Sequence, residues 1–371
     1  MTTRTAPPFR ADQVGSLIRP AALVAARKAA EAGTLSAEEL RPIQEGAIRE
    51  VVRMQEAIGL KSITDGEYNR TWWQRDFLLK LDNVTQAPSR IAVRFHTAEG
   101  VSERSPASLT VTGKLGRPQP IFVDDFAFLK SVTRETAKVT IPSPTVLHFR
   151  GGRQAVDAKA YPDIAEFYAD LAAVYRAEIA DLAAAGCRYL QIDEVNLAYL
   201  CDPNLKKEVA GFGEDPEALP ATYARLLNDC IAGKPKDMVV AMHLCRGNFA
   251  GAWVAEGGYE PVADLLFNQI GVDAYFLEYD SPRAGSFEPL RFLPKGKTAV
   301  LGLVTTKARK LESKDDLKRR IEEAARFAPL EQLALSPQCG FSSGIGGETM
   351  TPADQIAKLR LVVETAREVW G

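Results

Sequence analysis

Two residues apart, the imidazole of His243 and the thiol of Cys245 leave an extended chain on the same side, so both can converge on one ion. Cys339, within Ser336-Pro337-Gln338-Cys339-Gly340, offers a second thiol, and Glu278 offers a carboxylate at the end of another apolar run. A soft donor set of two sulfurs and one nitrogen, completed by an exchangeable carboxylate, suits a catalytic Zn²⁺. In that reading Glu278 is the ligand that an incoming thiol displaces. An isolated His-x-Cys is weak evidence, because histidines and free cysteines are often simply packed. The coincidence of all four residues at corresponding ends of apolar runs favours the metal reading.

A second set of candidates is acidic. Thr64-Asp65-Gly66-Glu67 and Gln191-Ile192-Asp193-Glu194 put carboxylates directly after two further apolar runs. Acids there commonly cap helices. Two that converge without a cation, however, repel and raise each other's pKa, and a bound ammonium relieves this. An amino acid whose sulfur reaches the metal fits both sets. His148 and Trp73 are further pocket candidates. Arg75 and Asp76 after the Trp72-Trp73 pair make that segment amphipathic, so one indole is expected to face inward. Cys187, Cys201 and Cys230 are expected to pack.

Positioning these groups requires a repeating scaffold. Short apolar or β-branched runs at 9–15, 61–64, 138–141, 188–192, 237–242, 273–277, 298–303 and 332–335 end in polar turns, and amphipathic helices follow most of them. Residues 163–185 keep helical spacing, with Asp163 as cap and Gly186 at the left-handed C-terminal position. Ser313 with Asp316, Thr351-Pro352, and Ser36 with Glu39 mark other helix starts, the last left open by Pro42. Eight alternating units imply a parallel sheet with right-handed crossovers, closed into a TIM (β/α)8 barrel. No Gly-rich dinucleotide fingerprint supports the doubly wound alternative. Residues 82–125, with alternating polarity, are expected to form a β-hairpin insertion after the second strand. One catalytic domain over 1–371 is expected. Catalytic groups of such barrels lie at the carboxyl ends of the strands, where all the candidates fall.

Composition narrows the partners. The chain has 371 residues with 46 basic and 48 acidic side chains, a formal charge of -2 and no basic block. Nucleic-acid and anionic-membrane binding therefore have no support. No apolar run is long enough to span a bilayer, and the first residues lack a signal-peptide core, so a cytoplasmic location is expected. Five irregularly spaced cysteines argue against a disulfide framework.

Taken in order, 9–16, 64–67, 191–194, 242–245, 276–278 and 336–340 make the chain resemble cobalamin-independent methionine synthases, over nearly the whole of their catalytic C-terminal barrel and its short single-barrel relatives. The resemblance implies a zinc site of His243, Cys245, Glu278 and Cys339. It implies that Glu67 and Asp193, with Glu194 beside them, take the ammonium of homocysteine, and that the Gly15-Ser16 turn takes its carboxylate. It implies methyl transfer from methyltetrahydrofolate, a methyl-corrinoid or a methyl-carrier protein. Long members carry a further N-terminal barrel, a Trp where Phe149 stands, and basic residues where Phe341-Ser342-Ser343 follow Cys339-Gly340. Two other functions compete with it: alkyl transfer to another thiol such as coenzyme M, and non-catalytic zinc or thiol binding. A sulfonate would meet acids at Glu67 and Asp193, and a displaceable Glu278 speaks for catalysis.

Overall fold

The computed structural model describes residues 4–88, 93–97, 100–104, 107–345 and 349–371. Its strands are β1 (Ser62–Ile63), β2 (Val84–Ala87), β3 (Val93–Thr97), β4 (Gly100–Arg104), β5 (Ser108–Val111), β6 (Thr136–Ala137), β7 (Val139–Pro142), β8 (Tyr189–Glu194), β9 (Val239–Leu244), β10 (Ala274–Glu278), β11 (Thr298–Val304) and β12 (Leu333–Pro337). β7 to β12 form one parallel sheet in sequential order. Their residues are almost all buried, as expected of parallel strands covered on both faces.

The ring closes on both sides of this sheet. β6 and β7 are separated only by Lys138, and β6 pairs with β1 in parallel. At the other edge Ala11 bridges Leu335, with Asp12 N–H donating to the Leu335 carbonyl at 3.0 Å. Between residues 9–15 and β1 the seam is sealed by side chains. Ser62 donates to Asp12 at 2.7 Å, Thr64 to the Gly15 carbonyl at 2.6 Å, and Gln13 to Thr64 at 3.2 Å. The architecture is thus the expected TIM barrel, but its first strand pairs through backbone only around Ala11. Val14, Tyr189, Ala241, Ala274, Phe276, Val300 and Ala334 fill the interior, beneath which the buried Lys138 ammonium meets Asp12 at 3.2 Å.

Outer helices cover the strands where the sequence places them. Asp163 accepts from Ala165 N–H, and Ser313 from Asp316 N–H. Ser36 with Glu39 and Thr351 with Asp354 make reciprocal caps. The Ala37–Ile58 helix starts ahead of Pro42 and runs through it, losing one backbone hydrogen bond there. After β9 and β10 the connections are irregular instead, made of short 3-10 and π turns.

The insertion is two antiparallel pairs, β2 with β5 and β3 with β4. Its last expected residues already belong to the Val123–Val132 helix. His96 of β3 exchanges backbone hydrogen bonds of 2.7 and 3.0 Å with Trp253, docking the insertion on the loop after β9. Among the described residues no helix is long and apolar enough to cross a membrane.

Candidate active site

β9 carries His243 next to its end, and Cys245 follows it, anchored by its N–H to the Glu194 carbonyl at 3.2 Å. Cys339 lies just past β12. The barrel brings the three together: the His243, Cys245 and Cys339 ligand atoms lie within 4.8 Å of one another, all buried. The two sulfurs are 3.5 Å apart, and Gly247 N–H donates to that of Cys245 at 3.2 Å. Both His243 ring nitrogens are buried without a hydrogen-bond partner. The Cys245 thiol beside it, followed by His243, holds Cys339 well below the usual thiol range. The Cys339 sulfur, and then burial, push Cys245 up. Burial pulls His243 down, but Cys339, Asp193 and Glu278 outweigh it and raise its pKa. Two sulfurs and an imidazole whose ring nitrogens lack hydrogen-bond partners form a donor set that fits zinc.

Glu278, at the end of β10, stands beside this trio rather than within it. Its carboxylate accepts from Arg246 N–H at 2.8 Å and faces Arg283 at 3.5 Å and Lys307 at 3.8 Å.

The expected carboxylate pair faces the same cavity. Glu67 sits in a left-handed backbone conformation, φ +60°, a strain that recurs at functional sites. Thr140 donates to one Glu67 oxygen at 3.1 Å, and Arg70 lies 3.7 Å from it. Its other oxygen is buried without a partner. Asp193 accepts from Gln191 at 2.7 Å. Burial, and then the Glu67 charge, push Asp193 up to about 7, and burial raises Glu67 as well. Gly15, φ +144°, lets the chain pass where a Cβ would lie 2.6 Å from Thr140. Ser16 follows it into the cavity lining, and Gly340 is needed beside it because a Cβ there would lie 1.9 Å from the serine hydroxyl oxygen.

Gly15 and Glu278 lie outside the cavity lining, and two further candidates turn away from it. Glu194 turns to the opposite face of β8, where it accepts from Ser143, Thr145 and the N–H groups of Asn196 and Leu197. The alternation of a strand explains this, since Asp193 and Glu194 must point to opposite faces. His148 packs outward, with Nδ1 3.0 Å from the Tyr223 hydroxyl and Nε2 3.5 Å from Glu214. Phe149 packs edge-on against Tyr199, and Tyr199 rather than Phe149 lines the cavity. Trp72 and Trp73 both line the cavity. Cys187, Cys201 and Cys230 are buried outside the cavity.

The cavity encloses about 450 Å³, within the usual range for small-molecule sites. Arg150, Asn248, Phe249 and Phe95 also line it and were not singled out from sequence. Phe95 and Phe249 carry no spacing signal. They meet, 5.9 Å between ring centroids, only because the insertion docks on the loop after β9.

Residues 9–368 match the family described as the cobalamin-independent synthase catalytic domain. The chain belongs to this family. It is 43% identical over 365 residues to the Bacillus subtilis protein YxjH, covering 98% of this chain and 95% of that one. A methionine synthase of Pyrococcus abyssi is 27% identical over 334 residues, covering 88% of this chain and 84% of that one. Among solved structures, a putative vitamin-B12 independent methionine synthase from Listeria monocytogenes superposes with a TM-score of 0.79 at 37% identity, covering 99% of this chain and 100% of the other. The sulfur–imidazole trio and the carboxylate pair thus lie within the segment that matches this family's catalytic domain.

Proposed function

We propose that the protein is a zinc-dependent methyltransferase that methylates the sulfur of homocysteine to give methionine, with methyltetrahydrofolate or a methyl-corrinoid as donor. One observation carries this reading: a single cavity presents a two-sulfur, one-nitrogen cluster together with two buried carboxylates, Asp193 with no ion pair among the described residues and Glu67 with one oxygen beside Arg70 and the other unpartnered. A molecule with a thiol at one end and an ammonium at the other satisfies both. Homocysteine is that molecule, and membership of the cobalamin-independent synthase family supports the choice.

His243, Cys245 and Cys339 would hold the metal, with Glu278 beside them as the fourth ligand. Bound zinc supplies Lewis acidity that keeps a substrate thiol ionised near neutral pH. The chain's own residues do the rest. Glu67 and Asp193 hold the ammonium, and Ser16 in its Gly15 turn holds the carboxylate, which fixes the sulfur's direction. Trp72, Trp73 and Tyr199 wall the cavity and keep water from the sulfur. The sulfur attacks the methyl carbon in line. A sulfur–carbon bond forms as the bond from carbon to the donor breaks, and its electron pair leaves with the donor.

The test combines purified protein, homocysteine and either methyltetrahydrofolate or methylcobalamin, with methionine followed by mass spectrometry and zinc by elemental analysis. Methionine from one donor, with about one zinc per chain, is expected. No methionine from either donor, or activity unaffected by complete zinc removal, would sink the proposal.

A further inference from the structure

Glu67 and Asp193 are each held by a donor from one buried layer of the barrel. Thr140 of β7 and Gln191 of β8 are register partners in the parallel ladder, and both are buried. The Thr140 hydroxyl donates to Glu67 Oε1 at 3.1 Å. The Gln191 amide donates to Asp193 Oδ1 at 2.7 Å and to the Val14 carbonyl at 2.6 Å. Each carboxylate therefore has one oxygen fixed. Among the described residues the other oxygen of each accepts no hydrogen bond, and that of Glu67, Oε2, is buried.

Arg70 decides what the Thr140 hydroxyl does. Its buried guanidinium donates through Nη1 to that hydroxyl at 3.1 Å and through Nη2 to the Thr140 carbonyl at 2.5 Å. A hydroxyl that accepts from a guanidinium keeps its own proton for another partner, and here that partner is Glu67. The planar fork reaches both Thr140 oxygens at once, which the single ammonium of a lysine would not do in the same geometry. Arg70 is itself fixed, 4.2 Å over the Phe122 ring centroid and 3.7 Å from Glu67 Oε1. The Glu67 backbone is tied as well. Arg19 donates to its carbonyl at 2.9 Å, and its N–H donates to Asp65 at 2.9 Å, which supports the φ of +60°.

We propose that Arg70 is a positioning residue for recognition of the ligand's ammonium: acting through Thr140, it pins Glu67 Oε1 and leaves Oε2, together with Asp193, to meet the ammonium. The inference deepens the methyl-transfer reading above and rests on it. Neither Arg70 nor Thr140 lines the cavity, so contact belongs to Glu67 and aim to Arg70.

The experiment uses the zinc-loaded full chain. Calorimetry at one pH and salt concentration measures methionine and 4-(methylthio)butanoate, which lacks the amino group. The ratio of the two affinities reports the ammonium contact, whereas general loosening of the fold weakens both ligands and leaves the ratio in place. Arg70→Met and Thr140→Val should each lower the ratio about tenfold, the loss expected when a charge-assisted contact is misaligned. The double variant should lose little more than either single one, because both break the same chain of hydrogen bonds. Thr140→Ser should keep the wild-type ratio. Arg70→Lys, which keeps the charge without the fork, should recover part of it. Thr140→Val alters no charge and keeps the question decidable if Arg70→Met does not fold. A wild-type ratio in Thr140→Val or in folded Arg70→Met overturns the positioning role, as do fully additive losses in the double variant, and the methyl-transfer reading survives either result. Wild-type protein that fails to bind methionine, or binds both ligands equally, refutes that reading itself and the inference with it.

Discussion

The carboxylate pair gives the sharpest quantitative expectation. Asp193 has its pKa raised from 3.8 to about 7 by burial and by Glu67. At 1.36 kcal/mol per pH unit, ionising it in the ligand-free protein costs about 4 kcal/mol more than in water. The folded state binds this proton more tightly than the unfolded state does. Its contribution to stability is therefore present below about pH 4 and lost as pH rises through about 7. An ammonium ligand should restore what is lost. Methionine is the suitable probe because its thioether does not titrate. If its ammonium requires an ionised Asp193, its dissociation constant should rise roughly fivefold from pH 7 to pH 6 and almost tenfold from pH 6 to pH 5. Its stabilisation of the melting temperature should accordingly be larger at pH 8 than at pH 6. Glu67→Gln removes the second cause of the shift but not the first. The inflection should move to lower pH, and affinity at pH 8 should fall by about 1.5–3 kcal/mol, tenfold or more. Calorimetry between pH 5 and 8 decides it. An affinity independent of pH, or an inflection unmoved in Glu67→Gln, would refute the pairing of these acids around an ammonium.

Other expectations concern the metal, the turns and the donor. Cys339→Ser should lose most of the bound zinc, checked by elemental analysis after gel filtration, and stoichiometric zinc in that variant would exclude the ligand assignment. Gly340→Ala should weaken methionine binding by displacing Ser16, while adding Ser16→Gly should relieve the clash without restoring affinity, as calorimetry and thermal melts would show. Gly15→Ala, forced into φ +144° against Thr140, should destabilise the fold by about 1–3 kcal/mol in denaturant titration. Mono- and triglutamyl methyltetrahydrofolate should react at similar rates, because Phe341-Ser342-Ser343 stand where long members carry basic residues, and a strong preference for the triglutamate would contradict this.

Much of this was legible in the linear chain. The alternation of apolar runs and capped helices specified a parallel barrel because strands buried on both faces and helices buried on one leave different periodicities. His243 and Cys245 were legible as a pair because i and i+2 share a face, and Asp193 because it ends a strand. The same alternation turns Glu194 away from Asp193, so one of two adjacent acids was always bound to be structural. What the chain alone left open was every relation across the ring. Cys339 is 94 residues from Cys245, and only closure of the barrel sets their sulfurs 3.5 Å apart. The first strand's reliance on Asp12, Gln13 and Thr64 in place of a backbone ladder was equally unreadable, as was the outward turn of His148 onto Tyr223. Arg75 and Arg150, distant in sequence, line one cavity only because loops of adjacent strands meet there. Local sequence fixes which face a side chain takes within its own element. Which elements face each other is decided by packing of the whole, where side chains compete for the same space and the same partners.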